Sequence, residues 1–392
     1  MTPLIYIIAG EPSGDQLGGR LMAALREETG GAVEFAGVGG ESMGDEGLRS
    51  LFPLAELAVM GLAEVLPRVP NLLRRIRQTV ADIEGRRPAA VVTIDSWGFT
   101  GRVAKALKRR GSTIPRIHYV APMVWAWGPG RARHLADRLD LLLTLLPNEP
   151  PYFEAVGLRA VHVGHPVIES GADRGDGAAF RRRHGIPGEA PLLCVLPGSR
   201  LSETSRLLPV FEGALTLLKE RFPTLRAVVP TTGTVAGEVA AAASSWPLPA
   251  LVIEGRAEKY DAFAAADVAL AASGTVALEL ALAEVPSVIT YRVAPLTAAI
   301  GRRLISVKYV NLINLLLDRP VVPELLQDDC RPEKLAADVA TLLEDAGARR
   351  AQKEGLREGL ARLGYGGPSP SRRAARAVLD AIAIGRMENA KP

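Results

Sequence analysis

The chain has 392 residues, 48% of them hydrophobic and 23% charged, which is ample for two cores and favours two domains over one. A formal charge of +4 and a pI near 9.1 suit an anionic ligand or a membrane surface, but without clustered aromatics they do not point to nucleic acid. Two cysteines, Cys194 and Cys330, exclude a disulfide framework and a cysteine metal cluster and fit a reducing, cytoplasmic setting.

The amino terminus has no basic leader, and its apolar run Leu4–Ile8 is too short for a signal peptide. No stretch of about 18 uninterrupted apolar residues predicts a membrane span. Strands are predicted near Leu4–Ala9, Val33–Val38, Ala89–Ile94, Arg116–Val120, Leu141–Leu146 and Ala160–Val163. Helical stretches such as Asp15–Glu28 and Phe99–Arg110 lie between them. Short strands that are apolar throughout, not alternating, belong in a parallel sheet covered on both faces. From Glu169 to Glu189 the composition turns polar and glycine-rich, a linker signal that includes a basic helix at Phe180–His184.

The pattern then restarts. Strands are predicted near Leu192–Leu196, Leu225–Val229, Leu251–Ile253, Val268–Ala272 and Ser287–Tyr291, alternating with helices from Glu203, Val235, Lys259 and Thr275. The carboxyl end is helical over Pro332–Ala346, Arg349–Leu363 and Ser371–Ile384. The expectation is α/β: two doubly wound Rossmann-like domains with a cleft between them and ligands at the carboxyl ends of the strands. We place the first domain at 1–172, the second at 173–366 and a terminal helix at 367–392.

Four strand ends carry polar residues. The first is Gly10-Glu-Pro-Ser-Gly-Asp15, with Glu11, Ser13 and Asp15; a helix cap by Ser13 or Asp15 is the plainer explanation. The next, Thr93-Ile-Asp95, puts Asp95 just past a buried strand, as a cap or as a base. In the second half Leu196-Pro-Gly-Ser-Arg200 offers backbone N–H groups, a hydroxyl and a guanidinium to an anion, unless Arg200 only lies along its strand. The fourth, Ser273-Gly274-Thr275 followed by Glu279, sets a small-residue turn and a carboxylate at a helix start, suited to the phosphates and ribose of a nucleoside diphosphate. Neither a Gly-x-x-x-x-Gly-Lys-Ser/Thr nor a Gly-x-Gly-x-x-Gly follows a strand, which weakens ATPase and dinucleotide readings.

The five histidines show no helical pairing, so neither metal nor cofactor is expected; His165, at the last strand end before the linker, stands out among them. Trp125 and Trp127 follow the strand ending at Val120, as loop anchors or as walls of an acyl or sugar site. Between Leu57 and Val80, apolar residues recur at helical spacing among Arg68, Arg74, Arg75 and Arg77, while Pro67 and Pro70 predict two short helices or a kink. This stretch reads either as core or as a surface seated on anionic lipid.

Taken together, Gly10–Asp15, Ala58-Val-Met-Gly61, Ile94-Asp95, His118–Pro122 with Val124–Trp127, Leu196–Arg200 and Ala272–Thr275 with Glu279 resemble the lipid-A-disaccharide synthase family. Tyr309-Val310 through Asn314 and Pro323–Gln327 extend the likeness, in the family's order along essentially the whole chain. The resemblance implies a GT-B glycosyltransferase whose last helix crosses back to the first domain. It implies metal-independent, inverting transfer of 2,3-diacylglucosamine from UDP to the 6-hydroxyl of 2,3-diacylglucosamine 1-phosphate, at the inner face of the cytoplasmic membrane. By matched position Glu11, Ser13 and Asp95 fall on the acceptor side, and Arg200, Ser273, Glu279, Asn314 and Gln327 surround UDP. The family's Ile-Asp-x-Pro-Asp-Phe-Asn is here Ile94-Asp-Ser-Trp-Gly-Phe-Thr100, so only Asp95 inherits a role, with Glu11 and Asp15 as rival bases. Two other readings stand beside it: an isomerase resembling UDP-N-acetylglucosamine 2-epimerase, and a non-catalytic lipid- or nucleotide-binding protein.

Overall fold

Apolar strands whose side chains are buried on both faces need helices on both sides, and the chain satisfies this twice. The structure is a computed structural model that describes residues 2–57, 62–124, 128, 130–294 and 307–389. It divides into unit 1, residues 1–166 with 366–392, and unit 2, residues 167–365. The Ala58–Gly61 motif, Trp125, Trp127 and the segment 295–306 lie outside the described residues.

Unit 1 is built on strands β1 (Leu4–Ala9), β2 (Glu34–Val38), β3 (Ala90–Ile94), β4 (Arg116–Tyr119), β5 (Leu141–Thr144) and β6 (Ala160–His162). They form one sheet in the order β2-β1-β3-β4-β5-β6, every pair parallel. The intervening helices are α1 (Pro12–Thr29), α2 (Glu41–Asp45), α3 (Leu62–Arg86), α4 (Trp97–Arg109), α5 (Arg131–Ala136) and α6 (Pro150–Glu154). β1 pairs with β3 in register Ala9 to Ile94, so the turns that follow these two strands stand side by side at one edge of the sheet.

The two-piece reading of 57–80 is not what the structure shows: α3 is one helix running through Pro67 and Pro70. Each proline removes its own N–H bond and crowds the carbonyl four residues back, but both fall within the first nine residues of a 25-residue helix whose later turns are anchored by packing. Ile76, Val80 and Ile83 are buried against Tyr6, Ile8 and Phe52, with Leu72 packed at the margin of that cluster. Over this part of the helix the apolar stripe is therefore core. Leu73, Arg74 and Arg77 face outward.

Unit 2 repeats the plan with β7 (Leu192–Leu196), β8 (Arg226–Thr231), β9 (Ala250–Glu254), β10 (Val268–Ala272), β11 (Ser287–Tyr291) and β12 (Glu324–Leu326), in the order β12-β11-β10-β7-β8-β9. Its first helices are α7 (Gly177–Arg183), α8 (Leu201–Arg221), α9 (Ala236–Ser244), α10 (Arg256–Ala265) and α11 (Val276–Leu282). The sequence reading missed β12, a three-residue edge strand with no apolar run of its own. The polar segment 169–189 contains α7, which starts three residues before the predicted basic helix and docks on α10: Phe180 is fully buried, and Arg181 Nη2 donates to the carbonyl of Ala265 at 2.8 Å and to Asp267 at 3.0 Å.

The last helix, Pro370–Asn389, belongs to unit 1. Ala374, Ala375, Val378 and Ile382 enter the cluster formed by β1, β3 and α1, and small residues let the two helices lie close. Arg376 and Arg372 bind Glu28 at the end of α1, and these two hydrogen bonds hold its carboxyl down to about 2.

Candidate functional site

In unit 1 the first polar edge is formed where β1 and β3 end. Glu11 occupies the N-cap position of α1 but makes no capping hydrogen bond, and both Glu11 and Ser13 are exposed. Asp95 and Ser96 follow β3 with φ of 50° and 44°, two consecutive non-glycine residues in the left-handed region. Such a pair persists only where its surroundings enforce it. Here the enforcement is visible: Asp95 N–H donates to the Tyr119 carbonyl at 2.9 Å, and Thr100 Oγ1 donates to the Asp95 carbonyl at 2.8 Å. Asp95 Oδ1 accepts from the Ser96 N–H at 2.7 Å, so the half-buried carboxylate is braced by its neighbour and does not cap α4.

Behind this edge His118 is buried against Trp97, ring centroids 4.9 Å apart, and shares a 2.8 Å hydrogen bond with Thr93 Oγ1. Burial pushes its pKa down to about 3, so it is a neutral packing element of the edge. Burial likewise lowers His165 to about 4.

Asp15 does not belong with Glu11 and Asp95. It lies within α1, is buried, and accepts hydrogen bonds from the backbone N–H groups of Gly40 at 2.6 Å, Ser42 at 2.9 Å and Met43 at 3.2 Å. The carboxylate thus caps α2, a helix distant in sequence, rather than its own. A carboxylate 4% exposed and turned to three backbone amides is not presented to an outside hydroxyl. We therefore withdraw Asp15 as a base and keep Asp95 and Glu11.

In unit 2 the carboxyl ends of β7, β8 and β10 enclose a cavity of about 350 Å³. Gly198, Ser199 and Arg200 line it from β7, Thr231 and Thr232 from β8, Ser273, Gly274, Thr275 and Glu279 from the β10 turn and α11, and Lys259 from α10. The β7 turn requires glycine at 198, where φ is 113° and a Cβ would stand 2.8 Å from that of Glu203. Glu203 braces the turn, accepting from Ser199 N–H at 3.1 Å and from Arg200 Nη1 at 3.0 Å. Arg200 is otherwise open to solvent, its side chain 71% exposed. Nothing approaches the position of a Gly274 Cβ, which leaves room for a ligand beside the first N–H groups of α11. Thr231 Oγ1, inaccessible to solvent, has no hydrogen-bond partner among the described residues.

Two residues expected at the nucleotide are placed elsewhere. Asn314 is completely buried: its Nδ2 donates to the Val322 carbonyl at 2.7 Å and to Glu324 Oε1 at 2.6 Å, and its Oδ1 accepts from Val321 at 2.9 Å and Val322 at 2.8 Å. With every donor and acceptor used, this amide ties the chain to β12 and does not line the cavity. Gln327 follows β12 with φ of 52° and accepts from Val293 N–H at 3.3 Å; it stands on the same sheet edge but away from the cavity.

The residue that sequence reasoning missed is Lys259. Its Nζ donates to both oxygens of Glu279 at 2.9 Å, while Tyr260 hydroxyl donates to Oε1 at 3.0 Å. Burial, and next the Glu279 charge, raise the Tyr260 pKa and keep its proton in place. No periodicity or motif marks a lysine early in α10 as a partner of α11. Among the described residues no three His, Cys, Asp or Glu are grouped as a metal site would require.

A family model described as lipid-A-disaccharide synthetase matches residues 5–366. The chain belongs to this family. It is 63% identical over 385 residues to the lipid-A-disaccharide synthase of Paramagnetospirillum magneticum, covering 98% of each chain. It is 60% identical to that of Rhodospirillum centenum, covering 97% of this chain and 96% of the other. Members of the lipid-A-disaccharide synthetase family are glycosyltransferases, and the comparisons support that reading over the isomerase and the non-catalytic one. The fold agrees: MurG of Acinetobacter baumannii superimposes with a TM-score of 0.59 at 14% identity over 97% of this chain and 99% of its own. A UDP-GlcNAc 2-epimerase of Neisseria meningitidis gives 0.63 at 11% identity, over 97% and 100%. These likenesses establish GT-B architecture, a scaffold that serves transferases and epimerases alike.

Proposed function

We propose that this member of the family transfers 2,3-diacylglucosamine from UDP to the 6-hydroxyl of 2,3-diacylglucosamine 1-phosphate, with inversion. The observation that carries the residue assignment is the cavity of unit 2, where a guanidinium, an ammonium, several hydroxyls and a carboxylate converge on strand ends. Arg200, Ser273 and Thr275 suit the diphosphate, and Glu279 suits the ribose. Glu11, Ser13 and Asp95, together on one edge of unit 1, form the acceptor side.

In the reaction the acceptor oxygen bonds to the anomeric carbon as the bond from that carbon to the phosphate oxygen breaks, and UDP leaves with the electron pair. The hydroxyl proton passes to Asp95, or to Glu11 if Asp95 lacks reach. Arg200 and the first N–H groups of α11 offset the charge that grows on the departing diphosphate. Holding Asp95 in a strained, hydrogen-bonded turn keeps its carboxylate in one orientation.

Both substrates carry acyl chains, and among the described residues no helix is long and apolar enough to cross a membrane. We infer that the protein meets its substrates on the anionic inner surface of the cytoplasmic membrane, with residues 57–80, through the outward face of α3, or the segment 294–309 as the contact. The deciding experiment is incubation with UDP-diacylglucosamine and diacylglucosamine 1-phosphate. Disaccharide and UDP formed in equal amounts are expected; formation of neither sinks the proposal, and recovery of a 2-epimer would favour the isomerase.

A further inference from the structure

Glu279 is already heavily engaged before any ligand arrives. An ionised carboxylate offers about four acceptor positions. Lys259 occupies one on each oxygen, and Tyr260 takes a second on Oε1. That leaves one position, on Oε2. A carboxylate so placed cannot receive both hydroxyls of a ribose diol.

Lys259 has what Glu279 lacks. An ammonium carries three N–H bonds, and two point at the Glu279 oxygens. Its side chain lines the cavity and is 26% exposed, so the third is not enclosed by protein. The aromatic rings of Tyr260 and Phe263 stand 4.9 and 5.9 Å from Nζ and hold the charge on that side. The nitrogen is thereby fixed beside Oε2, within reach of a group bonded there.

We propose that Lys259 and Glu279 read the ribose of the nucleotide as a donor–acceptor pair: one hydroxyl donates to Glu279 Oε2, and the oxygen of the other accepts the third N–H of Lys259. This rests on the donor-pocket reading of the cavity given above. It adds a ligand-contacting cation that the sequence motifs do not contain. It also defines the ligand class by geometry, because a vicinal cis-diol presents two oxygens close enough to bridge the pair.

The test is calorimetric titration with UDP, 2′-deoxy-UDP, 3′-deoxy-UDP and uridine. In the parent both deoxy nucleotides should bind more weakly than UDP. Lys259→Met should weaken UDP by roughly tenfold or more, as expected for a lost charge-assisted bond. It should also abolish the penalty for removing one hydroxyl while preserving the penalty for the other. Glu279→Gln should leave the Lys259-dependent hydroxyl still recognised. Unchanged UDP affinity in Lys259→Met would overturn the proposal. So would a loss confined to UDP with uridine unaffected and both hydroxyl penalties intact, since the cation would then serve the diphosphate. Should Lys259→Met fail to fold, Lys259→Gln carries the same test, because its amide is polar but brings no third N–H and no charge. If the parent itself does not bind UDP, the donor-pocket reading falls first, and the two failures are distinct.

Discussion

The side chain of Ser96 fills the space where a Cβ on Gly10 would stand. This contact joins the ends of β1 and β3, and it puts Glu11 and Asp95 on one edge while Ser96 is held in the left-handed conformation. An alanine at 10 must push Ser96 aside, and Ser96 has little room to yield because its turn is bonded to Tyr119 and Thr100. Gly10→Ala should cost ~1–3 kcal/mol in urea unfolding. It should also lower turnover while leaving UDP affinity unchanged, since the nucleotide cavity lies in the other unit. Parent-like turnover would show that the strained turn does not position the base.

The two aspartates of unit 1 should separate cleanly. Asp95→Asn keeps size and most hydrogen bonding but removes proton acceptance, so turnover should fall by roughly 10²–10⁴ with UDP binding intact. Asp15→Ala instead strands three amides, those of half-buried Gly40 and Ser42 and of buried Met43, and should cost about 3 kcal/mol of stability. Turnover per folded molecule should change far less. If Asp95→Asn is as active as the parent, Glu11→Gln becomes the next variant to assay.

Diphosphate charge is met in this reading by Arg200 and helix N–H groups. Activity should therefore survive exhaustive EDTA treatment in a coupled UDP-release assay. A loss that Mg²⁺ or Mn²⁺ restores would reassign the leaving-group chemistry.

Acid should destabilise the protein through its buried imidazoles. The His118 pKa is lowered from 6.5 to about 3 by burial, so between those values the unfolded chain binds a proton that the native state does not. Stability contributed in this way is present above pH ~6.5 and is lost as pH falls towards 3, at up to about 1.4 kcal/mol per pH unit for one group. His165, lowered to about 4, acts in the same direction. His118→Phe should flatten the slope of unfolding free energy between pH 6 and 4, as read by urea titration (roughly one proton's worth). Thr93 Oγ1 retains the Ile117 carbonyl at 3.1 Å, so the substitution does not orphan it. An unchanged slope would show that other groups dominate acid unfolding.

Membrane contact through α3 should depend on its outward face. Leu73 is 45% exposed, with Arg74 and Arg77 beside it, whereas Arg75 is 12% exposed, paired with Glu56 at 2.5 Å and stacked on Phe52. Leu73→Ser with Arg74→Ser and Arg77→Ser should weaken sedimentation with anionic vesicles without shifting the unfolding midpoint, and added salt should weaken the parent in the same way. Val80→Ser should unfold the protein instead. Undiminished vesicle binding by the triple variant would move the search to 294–309.

Much of this architecture was legible in the chain itself. Strands such as Ala90–Ile94, Leu192–Leu196 and Val268–Ala272 are apolar throughout because both faces are covered, and the polar residues that follow them, Asp95, Arg200 and Ser273, stand past their carboxyl ends, where open α/β sheets generally bind ligands. Periodicity of this kind is local, so a single sequence displays it. What only the tertiary structure decided were the hydrogen-bond partners. Asp15 looked as much a base as Asp95 until folding carried it to the amides of Gly40, Ser42 and Met43, and Asn314 looked like a ligand contact until all four of its bonds were met within the protein. Lys259 carried no signal at all, since its meeting with Glu279 depends on how α10 and α11 pack against the same sheet. A polar side chain has a fixed number of donors and acceptors, and which of them remain for a ligand is settled by neighbours that are distant along the chain.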